Sequence, residues 1–153
     1  MKLSNCRIGR PGRLVIISLS CFILLFFNQL HAQDIEKDIL GKWALESTGD
    51  AYTGGSINFL DGSSYAFQKE FPDATKAELK GGYLLDAGSS PARLRLCLGD
   101  CSTAGSEWTS EFCILRLAGD GKLEIYMSST GDYPGKFPED RNAERMYVFV
   151  REN

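Results

Sequence analysis

Ile39-Leu40-Gly41-Lys42-Trp43 is the stretch on which the reading of this 153-residue chain turns, because a leader ends just before it and a series of short alternating apolar runs begins with it. On its N-terminal side, Lys2, Arg7, Arg10 and Arg13 precede an apolar run over residues 14–27, and Leu30-His31-Ala32 ends in a small residue where a signal peptidase would cut. That run is 14 residues long, short of the roughly 20 needed to span a bilayer, and its charges lie on the N-terminal side only. Cys21 is followed by more of the same apolar run, a poor context for acylation. The expectation is a cleaved signal peptide, residues 1–32, and a secreted or periplasmic domain, residues 33–153, with no stable membrane insertion after processing.

On the C-terminal side, runs with period-two alternation occupy residues 42–47, 55–59, 64–71, 78–85, 92–98, 111–117, 122–128 and 145–151. Asp61-Gly62 and Asp120-Gly121 each sit between two of them, as tight hairpins require. The spacing predicts an all-β domain, a sandwich or an up-and-down barrel. Residues 34–40 read as one amphipathic turn, with Ile35, Ile39 and Leu40 on one side, suited to plugging one end of a barrel. The runs Leu60-Asp61-Gly62-Ser63-Ser64 and Leu85-Asp86-Ala87-Gly88-Ser89-Ser90, each preceded by a Gly-Gly pair, read as recurrent hairpin chemistry rather than as a repeat.

Composition narrows the function. All 20 acidic residues lie beyond the leader and 4 of the 17 basic ones lie within it, so processing takes the net charge from −3 to −7. That balance argues against nucleic acid and anionic membrane surfaces as partners. His31 is the sole histidine and falls in the leader, which excludes Ser-His-Asp and Cys-His catalysis and any histidine-containing metal site from the processed chain. Asp50, Asp61, Asp86, Asp100, Asp132 and Asp140 are numerous enough to suggest a carboxylate pair, but most stand beside Gly or Ser, where Asp makes turns. The chain therefore reads as non-enzymatic, without a cofactor or a metal.

Four segments carry a family resemblance: Ile39 through Trp43, Gly82-Tyr83-Leu84-Leu85-Asp86, Gly119-Asp120-Gly121-Lys122-Leu123-Glu124-Ile125, and the closing Tyr147-Val148-Phe149-Val150-Arg151. Together they resemble the lipocalin-like (calycin-type) β-barrel domains of unknown function found in exported bacterial proteins. The resemblance implies a single small eight-stranded antiparallel barrel. In that pattern the Trp of Gly-x-Trp closes the barrel bottom and an Arg from the last strand packs across its ring. The matching positions are Gly41, Trp43 and Arg151, with Arg145 the alternative, and their role is structural.

Cys97, Cys101 and Cys113 remain after export, an odd number in an oxidising compartment. Cys97 and Cys113 lie on neighbouring expected strands and would staple the loop over residues 99–110; Cys97 and Cys101 would instead close a five-residue turn. Spacing leaves the pairing open, and Cys97–Cys113 is preferred.

The functional expectation is a binding protein for a small hydrophobic ligand. Tyr65, Phe67 and Tyr83 would face inward with Leu94, Leu96 and Ile125, while the long connection 129–144 would bring Tyr133 and Phe137 over the open end. Each part has a plainer counterpart: the same side chains can simply fill a narrow barrel, and the loop can lie flat on its wall. The competing function is a protein-interaction or inhibitor module that uses the wall and the long loops, with a protein partner that the sequence does not identify.

Overall fold

In a computed structural model, the described residues 35–103, 105 and 109–152 form a closed all-antiparallel barrel. The expected signal peptide lies outside the described residues. Its eight strands are β1 (Gly41–Thr48), β2 (Gly54–Phe59), β3 (Ser64–Glu70), β4 (Lys76–Asp86), β5 (Ala92–Cys97), β6 (Ser110–Leu117), β7 (Leu123–Met127) and β8 (Met146–Arg151). Each pairs with the next in sequence, and β8 returns to β1, so the sheet keeps no free first or last strand. The architecture is compatible with a lipocalin-like fold.

Alternation sorts the side chains onto two faces. Trp43, Ile57, Phe59, Tyr65, Phe67, Tyr83, Leu94, Leu96, Cys113, Leu115, Ile125, Tyr147 and Phe149 form one inner cluster of buried residues. Edge-to-face ring contacts run through it, Phe59 on Tyr83 at 5.1 Å and Phe67 on Tyr147 at 5.6 Å. The interior is a filled core along most of its length, as expected for short strands on so narrow a barrel.

One end is closed. Residues 35–38 make a helical turn, and Ile39 follows fully buried beneath the inner cluster. The Trp43 indole donates to the Ile39 carbonyl at 2.7 Å, and the Arg151 guanidinium lies 4.3 Å above the ring. Trp43 and Arg151 are direct register partners across the β1–β8 seam. Arg151 also donates to the carbonyls of Leu40, at 3.0 Å, and of Asp38, so one side chain ties the last strand to the plug. Gly41 adopts φ +103°, a backbone conformation that a side chain would strain. Arg145, the alternative partner, sits at the opposite end.

The favoured cysteine pairing is corrected: Cys97 bonds Cys101, and Cys113 is free. In the β5–β6 register Cys113 stands opposite Leu94 and Cys97 opposite Ser110. Cys113 therefore shares the inward phase of Leu94 and Leu96, whereas Cys97 takes the outward phase, and the two sulfurs point to opposite faces of the wall. Burial pushes the Cys113 thiol pKa up.

The second Gly-Gly pair also has a different cause from hairpin chemistry. Strand β4 pairs with β3 through Gly82 and with β5 only from Tyr83 onward, and the disulfide-closed turn crosses it at that switch. A Cβ on Gly81 would sit 1.9 Å from the Cys97 carbonyl oxygen, so the crossing requires glycine. The Asp61-Gly62 hairpin is made chiefly by its aspartate, whose carboxylate accepts the amides of Ser63 and Ser64, both at 2.7 Å.

Candidate functional site at the barrel mouth

Strand direction gathers the connections 49–53, 71–75, 98–103 and 128–145 at the end opposite the plug. A cavity of about 430 Å³ opens there, lined by Asp50, Ala51, Tyr52, Lys69, Phe71, Glu111, Met127, Glu144, Arg145 and Tyr147. Its floor follows from alternation: Lys69 continues the inward phase of Tyr65 and Phe67 on β3, and Tyr147 that of Phe149 on β8.

Arg145 organises one side of the mouth. It stands at φ +63°, unusual for a residue with a side chain, and three interactions hold it there. Its amide donates to Asp50 at 2.9 Å, its guanidinium meets Glu111 at 2.5 Å, and its Nε reaches the Met127 carbonyl at 3.4 Å. The second Asp50 oxygen accepts the Tyr147 hydroxyl. Burial, and then that hydrogen bond, raise the Tyr147 pKa, so the phenol stays a proton donor. Asp50 thus differs from the other aspartates: Asp61, Asp86 and Asp100 cap their own turns, and those hydrogen bonds hold their carboxyls below the ordinary range.

Lys69 occupies the other side. Its ammonium donates to the Tyr52 hydroxyl at 3.2 Å and lies 4.6 Å from the Tyr52 ring centre, 4.9 Å from Phe67 and 5.8 Å from Tyr147. Tyr52 is itself set by an edge contact with Phe71 at 5.2 Å.

The eight side chains expected to contact a ligand fall into two groups, neither of which is the cavity lining. Tyr65, Phe67, Tyr83, Leu94, Leu96 and Ile125 do face inward, but they are buried in the inner cluster below the mouth. Tyr133 and Phe137 are on the outer wall. Their connection turns away from the mouth and descends over β5, β6 and β7, with Tyr133 against Phe112 at 5.1 Å and Phe137 beneath Arg116 at 4.3 Å. Arg141 on the same strap meets Glu124 at 2.5 Å, and Arg116 holds the other Glu124 oxygen at 2.6 Å. Beneath the strap Ile114, Glu124, Met146 and Val148 are buried although they point away from the barrel interior.

Lys69, Tyr147 and Glu111 escaped the sequence reading although a signal for them exists: each is a polar residue in phase with the inward apolar positions of its own strand, at the strand's mouth end. Among the described residues, no cluster of three or more His, Cys, Asp or Glu side chains is arranged to hold a metal. Compared with protein-family models, curated proteins and solved structures, the chain matches none, so the geometry of the mouth carries the functional argument.

Proposed function

We propose that this chain is an exported, non-enzymatic lipocalin-like binding protein that takes a small hydrophobic or amphipathic ligand at the mouth of the barrel rather than deep within it. The observation that carries this reading is the mouth cavity of about 430 Å³, which exceeds the roughly 300 Å³ at which small-molecule sites begin. Aromatic and sulfur-bearing side chains, Tyr52, Phe71, Met127 and Tyr147, supply apolar contact, while Asp50, Lys69, Glu111, Glu144 and Arg145 make the rest of the lining charged. Shallow contact with a lining that is more polar than apolar supports broad binding of about micromolar strength.

Titration of the purified protein with an uncharged hydrophobic dye tests the reading. Dye fluorescence should saturate, and Ala51→Trp, which fills the cavity from its rim, should abolish binding while leaving the fold intact by circular dichroism. Equal binding by Ala51→Trp would move the site elsewhere. Export rests on the leader, and an intact mass beginning at or within two residues of Gln33 in the secreted or periplasmic fraction is the expected result.

A further inference from the structure

We propose that the mouth reads charge: it selects a compact organic monoanion, whose carboxylate is held by Lys69. This rests on the mouth-binding reading and adds the chemical class of the ligand. Among the described residues Lys69 makes no ion pair, although three carboxylates line the same cavity. Two of those carboxylates are already engaged. Asp50 accepts the Arg145 amide and the Tyr147 hydroxyl, and Glu111 accepts the Arg145 guanidinium.

The Lys69 ammonium carries three N–H donors, and the Tyr52 oxygen takes one. The faces of Tyr52, Phe67 and Tyr147 stabilise the charge but offer no oxygen acceptor in place of water. A carboxylate entering the cavity would supply two acceptors to a cation positioned in advance, and such charge-assisted contacts are the strong ones.

The shape of the site limits the rest of the ligand. Phe67 and Phe149 close the way down at 2 % and 0 % exposure, so a long acyl chain has no channel to thread. A flat apolar body can lie against Phe71 at the rim and reach the edges of Met127 and Tyr147 below it. The exposed Glu144 carboxylate on that rim repels a second negative charge, which favours a monoanion over a dianion.

Isothermal titration calorimetry with naphthoate, its neutral counterpart naphthylmethanol, and palmitate tests this on wild-type protein, Lys69→Met and Lys69→Arg, each checked for fold by circular dichroism. Naphthoate should bind wild type about tenfold or more tighter than naphthylmethanol. Lys69→Met should remove that difference by weakening naphthoate far more than naphthylmethanol; Lys69→Arg should keep it. Palmitate should bind no tighter than naphthoate. Equal affinity for acid and alcohol in wild type would overturn the charge selection and leave the mouth-binding reading standing. A Lys69→Met variant that weakens both ligands alike would overturn it too, and tighter palmitate would overturn the compact class. Failure of every probe to bind wild type would overturn both readings together.

Discussion

The two ends of the barrel use the same device to opposite effect. At the floor, Arg151 is the last inward residue of β8 and lies on the Trp43 ring; at the mouth, Lys69 is the last one within β3 and lies among Tyr52, Phe67 and Tyr147. What differs is the main chain within reach. The plug brings two carbonyls to Arg151, so the cation is satisfied and the floor is sealed. The mouth loops bring Lys69 a tyrosine hydroxyl, and the 128–145 connection, long enough to cover the opening, is held instead against the outer wall. A cation over aromatic rings closes a barrel where backbone acceptors complete it, and keeps donors open to a cavity where they do not.

The largest effect should come from opening the sealed end. Trp43→Ala empties a buried aromatic site and should destabilise by about 3–5 kcal/mol in urea unfolding. Arg151→Ala should cost about 1–2 kcal/mol, and the pair should be non-additive because the side chains touch. Additive losses would break the floor half of the comparison.

Next is the strap. Glu124 is fully buried, while Arg116 and Arg141 stay about half exposed, at 48 % and 47 %, and can rehydrate when released. Glu124→Ala should therefore cost about 1–3 kcal/mol, less than breaking a wholly buried ion pair. Hydrogen exchange across residues 129–144 should rise in this variant. Unchanged exchange would mean that the aromatic contacts of Tyr133 and Phe137 hold the strap off the mouth unaided.

At the mouth itself, Tyr147→Phe removes the hydrogen bond to Asp50 and should cost about 1 kcal/mol. A loss as large as that of Trp43→Ala would mean that the two ends contribute equally to stability and would erase their contrast. The smallest effect at neutral pH appears only in alkali. Burial pushes the Tyr65 pKa up to about 12, from 10.0, so folding favours the neutral phenol. Its contribution is fully present below pH 10 and is lost as pH rises through about 12. Tyr65→Phe should flatten the alkaline limb of a stability–pH curve, and an unchanged slope would assign that limb to the other groups whose pKa burial raises, Tyr83, Tyr133, Tyr147 and Cys113.

Much of the fold was legible because alternation and turn chemistry are local. The expected run 64–71 is β3, Ser64–Glu70, and 145–151 is β8, Met146–Arg151, each within a residue or two. The Trp43–Arg151 contact was legible through the family resemblance, which left Arg145 as the alternative. The candidate site was not. Tyr133 and Phe137 are rim aromatics in the sequence and wall aromatics in space, because what attracts them, Phe112, Arg116 and Glu124, lies on strands whose outward face carries no mark of being covered.

The sequence by itself therefore determined the strands and which residues share a face, because alternation and short connections are local, while the sealed floor was expected from the amphipathic turn at 34–40 and the family resemblance. Only the tertiary structure decided that Cys97 pairs with Cys101, that the strap leaves the mouth open, and that Lys69, Tyr52, Arg145 and Asp50 meet there. These depend on which loops converge at one end and in what register, and contacts such as Tyr147 to Asp50, 97 positions apart in the chain, exist only after the barrel has closed.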